Sequence, residues 1–311
     1  MLFRSKDIKI VREDKRPVPL HLYYQCQGSI YDNLKQVGRQ AFRNARSSWQ
    51  GKVPPFLPLK PNKLSSLIRL LQEEEKLPCI YFVFSRKRAQ ALAEELWEFQ
   101  FLTDQEAEDM EQQFAALCER FDIAGEPSVE DLRPFIRRGI AYHHAGMLPT
   151  VKEVVEQLFT SRLIKVIFTT ETFALGINMP ARTVVFDELR KFYGRKFDNL
   201  RTRDFYQMAG RAGRRSMDTE GFVYCRLNPH HISPDEVFRV VNGRPERICS
   251  QFSASYATIL NLYRIHRERL YDIYPRSFHF FQTGKMLRRR AVERMRAKVD
   301  ILKEMGYIRD N

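Results

Sequence analysis

The chain has 311 residues and a formal net charge of +14, because 52 Lys and Arg side chains face 38 Asp and Glu. Hydrophobic residues make up 43% of the sequence and aromatic residues 12%, which is enough apolar material for a packed core and excludes a disordered chain. The excess of positive charge indicates a polyanionic partner, with nucleic acid favoured over an acidic membrane surface.

The amino-terminal part of the sequence differs from the rest in charge and pattern. Residues 1–60 hold 12 basic and 4 acidic side chains and are expected to form an irregular, basic lead-in segment. Within it the apolar spacing predicts one helix over residues 30–47. The proline-rich stretch PPFLPLKP, Pro54 to Pro61, then predicts a stiff linker and a domain boundary.

Beyond the linker, short apolar runs alternate with apolar residues at helical spacing. The candidate strands, in chain order, are CIYFVF, GIAYHH, IKVIFT, TVVF and GFVYC. This alternation predicts a parallel sheet with helices on both faces over residues 61–250. Thr150 and Glu153 predict a capping box before the helix that follows GIAYHH. The alternation of strands and helices is interrupted at residues 101–138, where the pattern predicts a helical insertion. After residue 250 the pattern becomes mainly helical.

The segment QMAGRAGRR, Gln207 to Arg215, carries the strongest chemical signal in the sequence. Its two glycines let the backbone turn sharply and approach a ligand. Arg211, Arg214 and Arg215 place three guanidinium groups in one short segment, and a guanidinium fork matches phosphate oxygens. A basic surface loop is the alternative for this segment.

Three further segments lie at the carboxyl ends of predicted strands. They are FSRKR with Ser85, Arg86 and Arg88, YHHAGMLP with His144 and Gly146, and TTETFALGINMP with Thr169, Thr170, Gly176 and Asn178. Ligands of parallel sheets bind beyond the carboxyl ends of the strands, so we expect these residues to face a phosphate-containing ligand. A helix cap with solvated charges is the alternative for FSRKR. We expect all four segments, QMAGRAGRR included, to follow strands.

Taken together and in this order, the four segments resemble the second RecA-like domain of the Ski/exosome-associated DExH-box RNA helicases of superfamily two. The later segments SQFSASYATILNLYR, RSFHFFQ and LKEMGYI resemble parts of that family's winged-helix domain. The resemblance implies an α/β fold with a RecA-like parallel sheet over residues 61–250 and a partial, mainly helical winged-helix domain over 251–311. Residues 1–60 would then lead in from a first RecA-like domain.

The resemblance also implies residue roles. Arg214 would be the arginine finger on the γ-phosphate of ATP, with Arg211 assisting it or linking to the neighbouring domain. Gln207 would position the phosphates or a water molecule. The implied nucleotide-binding set is Gly176, Asn178, Gly210, Arg211 and Arg214. The implied nucleic-acid-binding set is Ser85, Arg86, His144, Gly146, Thr169 and Thr170.

The sequence departs from a complete helicase in its phosphate-binding motifs. It contains no GxxxxGK[ST] loop, since Gly284-Lys285 lacks the upstream glycine and is followed by Met286. Asp187-Glu188 mimics the start of an acidic box but follows TTETFALGINMP, where the family has only a strand end. We therefore expect ATP and Mg²⁺ to bind only with a first RecA-like domain, in cis or in trans. The chain alone is expected to hydrolyse no ATP and to hold no metal.

The leading hypothesis is the carboxyl-side half of an ATP-dependent 3′-to-5′ RNA helicase. Its partners would be single-stranded RNA or RNA with a 3′ overhang, and an RNA-degrading nuclease complex. A stand-alone nucleic-acid-binding or regulatory module and a DNA repair helicase fragment are the alternatives. Five scattered cysteines without a CxxC pair indicate a reducing intracellular location, cytoplasmic, or nuclear in a eukaryote, with no membrane partner.

Overall fold

The structure, a computed structural model, describes residues 16–40, 60–174, 179 and 181–308. These residues divide into two compact units, one that ends at Glu246 and one that begins at Arg247. The first contains the parallel sheet, and the second is built from helices.

Seven strands of the first unit form a single sheet in the order β2-β1-β9-β6-β3-β5-β4. Their bounds are Leu20–Cys26 (β1), Ser29–Tyr31 (β2), Cys79–Phe82 (β3), Ile140–His143 (β4), Val166–Thr169 (β5), Thr183–Phe186 (β6) and Gly221–Leu227 (β9). All neighbouring strands pair in parallel except β1 and β2, which pair antiparallel. Every residue of β3, β4, β5, β6 and β9 is buried, which explains why these strands read as continuous apolar runs. The predicted mainly parallel sheet is confirmed.

Among the described residues of this unit, eight α-helices accompany the sheet. Their bounds are Leu34–Gln40 (α1), Leu64–Glu73 (α2), Arg86–Glu95 (α3), Asp104–Arg120 (α4), Pro127–Ile136 (α5), Pro149–Thr160 (α6), Thr202–Ala209 (α7) and Pro234–Asn242 (α8). Their apolar side chains join those of the strands in one continuous core. A separate hairpin of β7, Arg190–Phe192, and β8, Phe197–Asn199, lies outside the main sheet.

The expectation of an irregular segment before residue 60 was wrong for part of its length. All seven residues of β1 pair with β9, from Leu20 with Gly221 to Cys26 with Leu227. The partner lies about 200 residues further along the chain, so no local pattern marks the pairing. The predicted helix 30–47 begins only at Leu34, after β2. Its residues 41–47, and all of PPFLPLKP except its last two residues, lie outside the described part of the chain.

Two local predictions between β3 and β5 had opposite outcomes. Residues 101–138 do contain two helices, and α4 begins with a capping box between Thr103 and Glu106. The capping box predicted at Thr150 was wrong, because α6 already begins at Pro149 and Leu148 occupies the cap position without a side-chain bond. Proline is favoured at the first helical position, where its missing N–H costs nothing.

The second unit has a small core of its own. Its helices are Tyr256–His266 (α9), Leu270–Ile273 (α10), Phe278–Gln282 (α11) and Lys285–Glu304 (α12). The core is formed by Ile259, Tyr263, Leu270, Tyr274, Met295, Val299, Leu302 and Ile308. The mainly helical character expected after residue 250 is confirmed, and the winged-helix assignment stays a prediction.

Candidate nucleotide and nucleic-acid site

The arginine segment Gln207–Arg215 lies at the amino ends of β6 and β9. It begins inside α7 and continues into the loop that follows, where Ala181, two residues before β6, bonds to it on both sides. The Ala181 N–H donates to the Arg211 carbonyl at 2.9 Å, and the Gly213 N–H donates to the Ala181 carbonyl at 2.8 Å. The expectation that this segment follows a strand was therefore wrong. It begins in a helix instead, in which Phe205 and Met208 are buried at helical spacing.

Gly213 allows two backbone segments to approach each other closely. Its φ is +77°, in the left-handed region, and a Cβ there would lie 2.6 Å from Val18 Cγ1 and 3.3 Å from the Cα of Gly221. Only glycine fits both requirements without displacement. The segment is thus packed tightly against the residues at the starts of β1 and β9, whereas the sequence analysis expected its glycines to allow approach to a ligand.

Arg16 supports the same segment and was missed by the sequence analysis. Its Nη2 donates to the carbonyl oxygen of Gly210 at 3.1 Å and also to that of Ala212. Burial lowers the pKa of this guanidinium. The only available signal was its place before the two prolines of RPVPL, Arg16 to Leu20, which does not by itself assign a role.

Arg211 and Arg214 make different contacts. Arg211 Nη2 donates to the carbonyl of Ala174, which ends the 3₁₀ turn Glu171–Ala174 directly after β5, and burial lowers the Arg211 pKa. Arg214 is bound by the carboxylate of Asp218, with Nε to Oδ2 at 2.8 Å and Nη2 to Oδ1 at 2.7 Å. Burial by itself would raise the Asp218 pKa, but the hydrogen bonds from Arg214 outweigh it and lower that pKa.

Of the remaining residues predicted to bind the nucleotide, some lie in the described part of the chain and others do not. Three members of the arginine segment, Gln207, Gly210 and Arg215, are exposed. Gly176 and Asn178 lie outside the described residues. The described arginine segment therefore has three exposed members and two arginines, Arg211 and Arg214, that are half-buried and hydrogen-bonded.

The loops after β3 and β4 meet at the carboxyl ends of their strands. β5 lies between these two strands in the sheet, and the Arg86 side chain reaches from the first loop to Gly146 in the second. A Cβ on Gly146 would lie 3.1 Å from Arg86 Cδ and 3.2 Å from its Nη1, so glycine is what lets the arginine cross. Ser85 occupies the cap position of α3, and its exposed side chain makes no cap hydrogen bond. The structure thus brings together Ser85, Arg86 and Gly146.

His144 belongs to the same group of loops. Its Nδ1 accepts a hydrogen bond from the Gly146 N–H at 3.2 Å, and its Nε2 is buried without a hydrogen-bond partner among the described residues. Burial lowers the pKa of His144, and the charge of Arg86 lowers it further. The imidazole is therefore neutral near physiological pH and adds no positive charge beside Arg86.

The two threonines at the end of β5 have separate environments. Thr169 is fully buried, and its hydroxyl lies 2.9 Å from the His143 carbonyl oxygen, to which it donates. It joins the ends of β4 and β5 and presents no hydroxyl at the surface. Thr170 is partly exposed, with its hydroxyl 3.1 Å from that of Thr172. Of the predicted pair, Thr170 is the residue that a ligand can reach.

The hairpin β7–β8 carries two exposed aromatic rings that the sequence analysis did not single out. Phe192 is 53% exposed and Phe197 62%, and their ring centroids are 5.5 Å apart. Lys191 anchors the hairpin by ion pairs to Glu171, just after β5, and to Asp204, in the first turn of α7, at 3.3 Å. The available signal in the sequence was Gly194, which separates Phe192 and Tyr193 from Phe197. In the structure this glycine turns the hairpin at a φ of +86°.

Asp187, at the end of β6, is committed to internal partners. It accepts from the Tyr81 hydroxyl at 2.9 Å and pairs with Arg88 at 3.1 Å and with the buried Arg226. The carboxylate is therefore neutralised inside the protein. Across the described residues no group of three or more His, Cys, Asp or Glu side chains is placed to hold a metal ion. No described helix combines the length and apolarity needed to cross a membrane.

The parallel sheet, the arginine segment at its amino ends and the basic loops at its carboxyl ends define a RecA-like domain of the helicase type. Residues 108–216 match the family described as the helicase conserved C-terminal domain. The match includes β4, β5, β6, the hairpin and the whole arginine segment.

Curated relatives extend the similarity over most of the chain. The human exosome RNA helicase MTR4 is 34% identical over 289 residues, which are 88% of this chain and 28% of the relative. Mouse Superkiller complex protein 2 is 37% identical over 79% of this chain and 20% of its own length. The Arabidopsis thaliana DExH-box ATP-dependent RNA helicase DExH11 is 36% identical over 83% and 19%, respectively.

The chain belongs to the family of Ski/exosome-associated DExH-box RNA helicases and contains their second RecA-like domain. It spans between about a fifth and just over a quarter of the length of these relatives.

Proposed function

We propose that this chain supplies the carboxyl-side half of an ATP-dependent RNA helicase that moves 3′ to 5′ along single-stranded RNA or RNA with a 3′ overhang. One observation carries the proposal: two sets of side chains suited to phosphate oxygens occupy opposite ends of one sheet. Arg211 and Arg214 lie at the amino ends of β6 and β9, and Arg86 and Thr170 lie at the carboxyl ends of β3 and β5. Two separate polyanions, a nucleotide and an RNA strand, suit two separated sets.

At the nucleotide end, Arg214 acts as the arginine finger. A first RecA-like domain, in cis or in trans, holds ATP and Mg²⁺, and Arg214 meets the γ-phosphate across the cleft between the domains. An arginine in this role contributes roughly three to five orders of magnitude to the rate of phosphoryl transfer. Gln207, exposed on the same segment, is suited to orient the phosphates or the attacking water. Guanidinium and amide groups suit phosphate oxygens, so this chain's residues fit the nucleotide and leave Mg²⁺ to the other domain.

At the nucleic-acid end, the residues suit an RNA backbone. Arg86 provides charge, and Ser85 and Thr170 provide hydroxyl groups that can bind phosphate oxygens. The exposed rings of Phe192 and Phe197 suit unpaired bases, because stacking on an aromatic side chain is worth about 1–3 kcal/mol per base. Sequence-independent contacts of this kind fit a motor that must move along any strand.

The nucleotide role is tested by measuring RNA-stimulated ATP hydrolysis by this chain combined with a first RecA-like domain. Arg214→Ala is expected to lower kcat by roughly three orders of magnitude or more. Arg120→Ala, an exposed arginine at the end of α4, is the matched control and should leave kcat unchanged. Equal turnover by the Arg214→Ala variant and the unchanged protein would exclude an arginine finger here. The chain on its own should show no turnover above that of Arg214→Ala.

The nucleic-acid role is tested by fluorescence anisotropy with a 3′-overhang RNA and the matching DNA. Arg86→Ala should weaken RNA binding and reduce its salt dependence, since one phosphate contact is lost. Preferred unwinding of the DNA duplex would favour the DNA repair helicase. RNA binding without ATP turnover in the presence of the first domain would favour a stand-alone binding module.

The family relationship also bears on the surroundings of the protein. The relatives are named for the exosome and for the superkiller complex. By analogy, this chain works with an RNA-degrading nuclease complex in a reducing compartment, the cytoplasm or, in a eukaryote, the nucleus. All five of its cysteines are free thiols, and four of them are buried.

A further inference from the structure

Asp218 lies three residues beyond the arginine segment, and its carboxylate binds Arg214 of that segment. Its side chain is 3% exposed, while that of its partner Arg214 is 16% exposed. The carboxylate receives three hydrogen bonds from Arg214, because the Arg214 backbone N–H also donates to Oδ2 at 2.8 Å. One side chain thus holds both the backbone and the guanidinium of a single residue.

The turn between the two residues reinforces this contact. The backbone N–H groups of Met217 and Asp218 donate to the Arg214 carbonyl at 3.1 and 2.9 Å, and Ser216 adopts a φ of +65°. A non-glycine residue in that region is strained, and the surrounding contacts must offset the strain. The separation of Arg214 and Asp218 is therefore fixed by the backbone as well as by the ion pair.

Asp218 uses only one edge of the guanidinium. A guanidinium has five N–H groups in a rigid plane, and Asp218 takes the edge formed by Nε and Nη2. Nη1 has no hydrogen-bond partner among the described residues, so the opposite edge remains for a ligand. A carboxylate bound edge-on in this way fixes the plane of the group while it leaves donors for phosphate oxygens.

We propose that Asp218 is a positioning residue that holds the Arg214 guanidinium in the orientation in which it meets the γ-phosphate; this rests on the proposed role of Arg214 as arginine finger. A free arginine side chain would lose rotamer entropy each time it met the nucleotide. Asp218 removes that loss in advance. A preorganised donor also needs no reorganisation when charge develops in the transition state.

The experiment measures kcat and KM for ATP with this chain combined with a first RecA-like domain and saturating RNA. Asp218→Asn keeps an oxygen for the Arg214 N–H but removes the charge, and we expect kcat to fall at least tenfold with KM changed less than threefold. Asp109→Asn, an exposed carboxylate on α4, is the matched control. Asp218→Glu should recover less than the full rate, because its longer side chain cannot keep all three hydrogen bonds.

A double-mutant cycle separates positioning from general damage. In the Arg214→Ala background, Asp218→Asn should change kcat less than twofold, because the residue it acts through is gone. Unchanged turnover by Asp218→Asn alone would overturn the proposal. Faster turnover would overturn it too, because it would show that Asp218 restrains the arginine. A further large loss in the Arg214→Ala background would also overturn it. If Arg214→Ala itself has no effect on kcat, the arginine finger fails instead.

Discussion

Arg226 on β9 and Asp187 at the end of β6 form an ion pair inside the sheet, with side chains only 8% and 11% exposed. The pair is fully hydrogen-bonded, since Arg226 also donates to Gln25, Tyr81 and the Asn62 carbonyl. These partners come from β1, β3 and the residues before α2. The guanidinium therefore ties together four separate parts of the chain at the carboxyl ends of the central strands.

We predict that breaking this pair from either side strongly destabilises the first unit. Asp187→Ala leaves the Arg226 charge buried without its carboxylate, and such losses typically cost about 3–5 kcal/mol. Urea denaturation of the chain, followed by circular dichroism, measures the free energy of unfolding. The double variant Asp187→Leu with Arg226→Met should lose less than Asp187→Ala, because no unpaired charge remains. A loss below about 1 kcal/mol in Asp187→Ala would contradict the prediction.

The stability of the protein should fall as the solution becomes mildly acidic, because of His143. Burial, together with the charge of Lys152, lowers the pKa of this imidazole to about 4. The unfolded chain takes up a proton near pH 6.5 that the folded chain refuses, so the free energy of unfolding drops by about 2 kcal/mol between pH 7.5 and 5. Glu156, whose pKa burial raises, opposes this effect at the lower end of the range.

His143→Gln tests the pH effect, because glutamine can still donate to Glu156, which lies 2.8 Å from His143 Nε2. Unfolding followed at a series of pH values should show a shallower slope for this variant. Part of the slope should remain, since the pKa of His144 is lowered as well. Identical slopes for the variant and the unchanged protein would mean that His143 does not titrate as described.

Gly213→Ala should destabilise the first unit and disturb the arginine segment. The new Cβ would lie 2.6 Å from Val18 Cγ1 at a φ of +77°, so both packing and backbone strain oppose it, at a cost of about 1–3 kcal/mol each. Thermal unfolding measures the loss. Gly125→Ala is the control, because no atom lies within 4 Å of its Cβ. Adding Val18→Ala should recover only the packing part of the loss, and complete recovery would refute the contribution of backbone strain.

Lys191 is predicted to couple ATP hydrolysis to strand separation. It joins the hairpin to Glu171 beside the nucleic-acid loops and to Asp204 in the helix that leads to Gln207. Lys191→Met removes both ion pairs and keeps most of the side-chain volume. A coupling of about 0.5–2 kcal/mol corresponds to between a few-fold and roughly 30-fold less unwinding per ATP.

The measurement for Lys191 compares duplex unwinding with ATP hydrolysis in the same reaction, again with the first RecA-like domain present. Lys165→Met, which breaks an ion pair with Glu106 away from both sets of site residues, is the control. If Lys191→Met lowers hydrolysis and unwinding in proportion, the residue contributes to the nucleotide site or to folding and not to coupling.

Local signals in the sequence were enough to predict most of the sheet and the loops after its strands. The buried strands read as apolar runs, whereas the close approaches of Arg86 to Gly146 and of Val18 to Gly213 are visible only in the structure. The family resemblance added the residue roles, which no spacing could supply. The loops around Arg86 and His144 meet because β3, β5 and β4 are neighbours, which the chain order alone does not specify.

What could not be predicted depends on contacts between distant residues. β1 was missed because its partner β9 is far along the chain, and Arg16 was missed for the same reason. The arginine segment lies at the amino end of β6 because it bonds to Ala181, two residues before that strand. Thr169 and Thr170 are adjacent and chemically identical, and only the packed structure distinguishes the buried hydroxyl from the accessible one.

The two hydrogen bonds from Arg16 to the carbonyls of Gly210 and Ala212 also determine where this domain can be cut. A fragment that starts at Leu20, the first residue of β1, would keep every strand of the sheet but lose this support for the arginine segment. Such a fragment would also lose Val18, which packs against Gly213, so we expect its arginine segment to be held less precisely. In a longer chain, a pull on the residues just before β1 would reach the arginine segment through Arg16 and Val18.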